Sequence, residues 1–289
     1  MSKIIAVANQ KGGVGKTTTA INLAACLAVA EKKTLLIDLD PQGNASVGVG
    51  LNKEAFADKN IYHAIIGKET LKDCIYQTEL PNFDICPADQ DLIGAEIELV
   101  SEFAREHKLK AAIETVKKDY DYVIIDCLPS LNVLAVNALT ACDSVLVPLQ
   151  TEYYAMEGLA QLLNTIRLVR SSLNPNLDLE GILLTMFDSR TSLHKQVASE
   201  VQTHFGDKVF ETIIPRNVKI SESPSFGKPI ILYDIESKGS QAYLSLAKEL
   251  IMKNRTNTVK DQPELDFTIP EIPEEYKGKD GNSNQPTIQ

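Results

Sequence analysis

Apolar residues in this chain come in short continuous bursts separated by longer stretches of helical spacing. The bursts near residues 3–8, 34–39, 83–87, 121–126, 144–149, 180–186 and 209–214 read as strands buried on both faces. Residues 17–30 read as a helix with Ile21, Ala24, Ala25 and Ala28 on one face. Tyr243, Leu246, Ala247, Leu250 and Ile251 recur at helical spacing and read as a core-facing stripe of the last helix. Alternation of strands and helices predicts an α/β fold, with a mostly parallel sheet covered by helices on both faces. One domain is expected over residues 1–255. The pattern then changes in kind. Residues 256–289 hold Pro263, Pro270, Pro273 and Pro286, seven acids and few large apolar groups, which predicts an extended or disordered acidic tail. No apolar run is long enough to span a bilayer, and Lys3 is followed at once by the first strand rather than by a signal peptide.

The densest chemistry lies between the first strand and the first helix, in Lys11-Gly12-Gly13-Val14-Gly15-Lys16-Thr17-Thr18. A glycine-rich turn at that junction aims backbone N–H groups at an anion, and the helix N-terminus adds its dipole. Lys16 supplies a point charge for outer phosphates, and the Thr17 hydroxyl is a candidate Mg²⁺ ligand. The usual phosphate-loop spacing has a glycine where this chain has Gln10, and a second lysine, Lys11, follows it. Lys16 accounts for one nucleotide's phosphates, so Lys11 is a spare cation with a separate task. A plain tight turn would explain the glycines, but not the lysine, hydroxyl, strand and helix together.

Two further apolar runs end in carboxylates. Leu35-Leu36-Ile37-Asp38-Leu39-Asp40-Pro41 places Asp40 at a strand's carboxyl end, where open α/β sheets hold their sites. Tyr122-Val123-Ile124-Ile125-Asp126 ends in an acid suited to hold Mg²⁺ through a water. A turn or capping role is the alternative for Asp40.

The loop with its extra lysine resembles the deviant Walker A motif of the ParA/MinD ATPases. Leu35–Asn44, Tyr122–Asp126, Cys127–Leu131, Val147–Leu159 and Ile214–Ile230 are similar to further blocks of that family, in its order, and most closely to its chromosomal ParA (Soj) members. The resemblance covers about residues 1–255. It implies an ATP- and Mg²⁺-dependent homodimer in which Lys11 reaches the partner's nucleotide. Gly12, Gly13, Val14, Gly15, Lys16, Thr17 and Thr18 would cradle phosphate, and Asp40 would support the hydrolytic water. Pro215 and Asn217 would border the base, although Pro and Asn also serve as plain turn formers. Two departures stand out: Leu128 replaces the first of two usual prolines, and Asn132 stands where glycine is common. A looser loop is the expectation there.

Charge adds a qualification. The net charge of −10 argues against nucleic acid, yet residues 186–255 carry ten basic and eight acidic side chains and are the one non-acidic stretch. The resemblance implies sequence-independent DNA binding by the ATP dimer, with Arg190, Lys195, Lys219, Lys228 and Lys248 as candidates. A solvated face of mixed charge is the alternative. Cys26, Cys74, Cys86, Cys127 and Cys142 are scattered and read as reduced, buried thiols; an iron–sulfur cluster on Cys127 and Cys142 is the sharper alternative. His63, His107, His194 and His204 lack metal-ligand spacing. With ten residues ahead of Lys11, no N-terminal helix-turn-helix domain is expected.

The resulting expectation is a cytoplasmic, nucleoid-associated ATP hydrolase for chromosome or plasmid segregation, stimulated by a ParB-type partner and not bound to membrane. The alternative is a nucleotide switch acting on another protein such as a replication initiator, or a cargo-positioning ATPase.

Overall fold

A computed structural model describes residues 2–257; the segment read as an acidic tail lies almost wholly outside them. Seven strands form one sheet: β1 (Lys3–Val7), β2 (Thr34–Leu39), β3 (Tyr76–Gln77), β4 (Phe83–Cys86), β5 (Tyr122–Cys127), β6 (Ser144–Gln150) and β7 (Asp178–Thr185). Their order is β3-β4-β2-β5-β1-β6-β7, parallel throughout except for the short antiparallel β3 at one edge. The helices are α1 (Lys16–Val29), α2 (Asn44–Gly48), α3 (Ile61–Ile65), α4 (Leu92–Glu98), α5 (Lys108–Glu114), α6 (Val133–Ala141), α7 (Ala155–Ser172), α8 (Ser192–Phe205), α9 (Val218–Glu222), α10 (Ile230–Tyr233) and α11 (Lys238–Asn257). No described helix is long and apolar enough to cross a membrane.

Period-two alternation along each strand divides the core into two layers. Ile5 and Val7 of β1, with Leu36 and Ile124, face α1 and α11. Ile4 and Ala6, with Leu35, Ile37, Val123 and Ile125, face the layer of α3, α5, α6 and α7. The expected one-sided stripe on α1 is in fact an almost fully buried helix: Ala20, Leu23 and Leu27 are buried as well as Ile21, Ala24, Ala25 and Ala28. The sheet covers one side of it and α11 the other, and its many alanines permit that close approach. The stripe on α11 meets α1 through Tyr243, Leu246, Ala247 and Leu250, and Ile251 is half-buried.

One expected strand does not form. Residues 209–214 make only isolated parallel bridges, Ile182 with Val209 and, just beyond, Phe187 with Pro215. The Glu249 carboxylate on α11 accepts from the N–H groups of Glu211 and Thr212 at 2.9 and 3.0 Å. Those donors are therefore not available to β7, and Pro215 has none to give. Conversely, β3 is two residues long and carries no alternation that a sequence reading detects.

Leu246 is fully buried between α11 and α1. Its replacement by Ala is expected to destabilise the fold by about 2–5 kcal/mol, read as a lowered urea midpoint with an unchanged slope.

Candidate functional site

Central strand β1 delivers its carboxyl end into the glycine loop between β5 and β6. Three contacts from distant segments fix that loop. Asn9 is buried; its amide donates to Pro148 O at 2.8 Å and its oxygen accepts from Lys11 N at 3.0 Å. The Thr185 hydroxyl at the end of β7 donates to Val14 O at 2.8 Å. Gly13 and Gly15 hold φ of +74° and +88°, a region that side chains with a Cβ avoid, and Gly15 caps α1 in that geometry. No side chain caps this helix start, so its N–H groups face the loop's concavity. That is the arrangement an anion occupies.

Lys16 lies almost buried, and its ammonium donates to Lys11 O at 3.2 Å. Burial lowers its pKa, while Asp126 and Asp40 act in the opposite direction. Asp126, the penultimate residue of β5, lies in register with Val7 at the end of β1 and, on its other side, with Asp38 of β2. Both are fully buried. Asp38 is satisfied by Ser46, whose N–H and hydroxyl donate at 2.9 and 2.7 Å, and by Asp40 N at 3.2 Å. Burial nonetheless pushes Asp38 up to about 6. Neither carboxylate oxygen of Asp126 has a hydrogen-bond partner. Burial first, then Asp38, raises it well above the usual carboxylate range; nearby Thr17 and Lys16 favour its charged form.

That orphaned carboxylate fits a cation site. Among the described residues no three His, Cys, Asp or Glu side chains converge as a ready-made metal site. A hard cation here would take oxygen from Thr17 and from Asp126, with water and a bound anion completing its shell, as Mg²⁺ does.

The remaining expected residues divide. Asp40 sits at the mouth of the site, and its Oδ1 accepts from Gln42 N at 2.9 Å, so the turn role is real. Pro215 bridges Phe187, next to Met186, which lies against Gly15; the 214–217 segment therefore borders the glycine loop. Asn217 spends its side-chain oxygen capping α9 through Ile220 N at 3.2 Å. Lys11 does not reach outward: its ammonium pairs with Glu152 of the same chain at 2.5 Å, both half-exposed. The loop after β5 is anchored at both ends, by buried Leu128 and by Asn132, which caps α6 through Leu134 N and Ala135 N, each at 3.1 Å.

The five basic candidates do not form one cluster. Lys228 pairs with Glu79 beside β3, at one sheet edge, while Arg190 and Lys195 follow β7 at the other. Arg190 is held by Asp188 at 2.7 Å and Lys219 by Glu222 at 3.1 Å; Lys248 is exposed on α11. All five cysteines are free and buried, and burial pushes Cys26 and Cys142 up to about 12.

Sequence reading passed over Asp38, Asn9, Thr185 and Glu152. Only Asp38 carried a signal, an acid inside an otherwise apolar strand.

The chain matches the AAA domain family over residues 2–179. It is 57% identical over 250 residues to the sporulation initiation inhibitor protein Soj of Bacillus subtilis, covering 86% of this chain and 98% of that one. It is 53% identical over 260 residues to the chromosome partitioning protein ParA of Caulobacter vibrioides, covering 89% and 97%. Among solved structures it is similar to a cobyrinic acid a,c-diamide synthase from Mycobacterium smegmatis with bound ADP and magnesium. That likeness has a TM-score of 0.78 at 35% identity and covers 91% of this chain and 98% of that one.

The buried acid pair sets a pH dependence. Asp38's folded pKa, about 6, lies above its ordinary 3.8. Its contribution to stability is therefore full below pH 3.8 and lost as pH rises through 6. Asp126→Asn removes the neighbouring like charge. In EDTA, its stability relative to the native chain is expected to improve by roughly 1–3 kcal/mol from pH 4 to pH 8, measured by urea unfolding. A pH-independent difference would exclude the pair as the sensitive element.

Proposed function

Because this chain belongs to the Soj/ParA family of chromosome-partitioning ATPases, we propose that it is an ATP-driven dimerising switch that binds DNA without sequence preference. The observation that carries the reading is the pairing of an uncapped glycine-loop helix start with buried Lys16 and the unsatisfied carboxylate of Asp126.

In this reading the backbone of residues 12–18 receives the phosphates of ATP, and Lys16 holds the outer ones. Thr17 and Asp126 would hold Mg²⁺, which would supply charge neutralisation for phosphoryl transfer. Asp40, at the mouth of the site, orients the attacking water. Closure of two subunits draws Lys11 away from Glu152 toward the partner's nucleotide, so one cation exchanges an internal carboxylate for a trans phosphate. The half-exposed Lys11–Glu152 pair is worth little in water, which keeps that exchange cheap. Pro215 and Asn217 flank the base.

Basic side chains of the last third of the core then meet DNA phosphates, each weakly, with two subunits adding their contacts. A ParB-type partner stimulates hydrolysis and releases the dimer. Residues 1–255 constitute the ATPase unit and 256–289 an acidic appendage. The same geometry also suits a switch acting on another protein; DNA binding separates the two.

Lys16→Ala is expected to lose ATP affinity by at least about a hundredfold. Lys11→Ala is expected to retain ATP binding but to form no ATP dimer in light scattering; a persisting dimer would remove its trans role. Asp40→Ala is expected to trap the dimer and to bind labelled non-specific duplex in Mg²⁺-ATP and not in Mg²⁺-ADP. That affinity is expected to fall steeply with salt. A confirmed Asp40→Ala dimer that ignores DNA would shift the assignment to a protein-directed switch.

A further inference from the structure

Helix α4 and the turn that follows it carry the wrong face outward. Leu92, Ala95 and Leu99 fill the core, as an amphipathic element requires. Yet Ile93, Ile97 and Val100, spaced four and three apart, share the opposite face and are 53%, 74% and 66% exposed. Past the extended Glu102, Phe103 is 94% exposed, at the point where Ala104 takes φ of +51°. Scattered exposed apolar residues need no explanation, but three that share one helical row, with exposed Phe103 following the extended Glu102, mark a contact site.

Charge indicates what covers it. From Asp89 to Glu106 the sequence holds six acids and one base, Arg105. Glu98 and Glu102 are exposed; Glu98 accepts from the Tyr62 hydroxyl and Glu102 pairs with Lys108, each at 2.8 Å. A second copy would bring the same acids face to face, and the chain's own residues 256–289, with seven acids and three bases, would be repelled likewise. Anionic lipid and nucleic acid are disfavoured for the same reason. A helix with an apolar stripe and lysine or arginine flanks satisfies both components. From Ile93 to Val100 the row spans roughly 10 Å at helical rise, about two turns of such a partner.

We infer that the outer face of residues 92–103 is a docking surface for a basic amphipathic helix of another protein. It is coupled to the candidate site. The Asn132 amide donates to Glu96 on α4, while its oxygen caps α6 at the end of the loop that follows Asp126. A helix seated on α4 therefore bears on the segment bordering the buried acid.

The test needs no nucleotide. A fluorescein-labelled leucine/lysine amphipathic peptide is titrated against the full chain by anisotropy, beside a leucine/glutamate peptide of identical apolar face. The native protein is expected to bind the lysine peptide at least about tenfold more tightly. Ile97→Ser with Phe103→Ser, a charge-neutral change at exposed positions, is expected to weaken it by about tenfold or more. Hydrogen-exchange protection is expected over residues 92–104. Lack of binding by the native chain overturns the inference. Unchanged affinity of the double variant overturns it too, by reducing the effect to net charge. Light scattering with Mg²⁺-ATP supplies the third check: loss of a dimer in the double variant would make the occupant a second copy. Equal thermal midpoints of variant and native chain confirm that folding is not at issue.

Discussion

Burial of Asp126 without a hydrogen-bond partner is the constraint around which this molecule is organised. An isolated buried carboxylate is among the most expensive groups in a protein interior, and here a second one, Asp38, lies in register beside it. The fold tolerates the arrangement because charge of the opposite sign is close: the Lys16 ammonium, itself desolvated, offsets part of the cost. A cation coordinated near Thr17 would offset more. Stability is thus surrendered locally at the carboxyl ends of β2 and β5, and the two-layered core around the sheet supplies it.

The glycine loop draws its shape from elsewhere in the chain. Asn9 ties it to β6, Thr185 ties it to β7, and Met186 lies against Gly15. Both β6 and β7 therefore contribute to the position of one short segment. The same strands carry loops that end beside it, so a change in what the loop binds has direct routes outward. One runs through Lys11 to Glu152 in the connection between β6 and α7; another runs from Asp126 along the following loop to Asn132 and Glu96.

Those routes end on surfaces of different character. The basic side chains after β7 are spread across the sheet's width and largely engaged in local ion pairs of small energetic weight. Such pairs are weakly held and leave no single strong site. The α4 surface is the reverse: compact, apolar and bordered mainly by acids.

Local pattern alone determined a good deal. Continuous apolar runs placed six of the strands, because both faces of a parallel sheet are covered and the run itself reports that burial. Spacing marked the glycine loop with Lys16 and Thr17 as candidates, because an anion cradle depends on consecutive backbone geometry, and Asp40 and Asp126 stood out as acids closing apolar runs. Non-local competition decided the rest. Residues 209–214 look like a strand, yet a glutamate from α11 takes their donors. The α1 stripe widened to the whole helix because a segment more than two hundred residues later covers its second side. Lys11 appeared as a spare cation, and its engagement with Glu152 required the fold to bring them together. Asp38 was visible as a residue, but its coupling to Asp126 exists only through strand register. Hydrogen-bond partners and like-charge neighbours are properties of three-dimensional proximity, and a linear pattern does not encode which distant carboxylate will claim a donor.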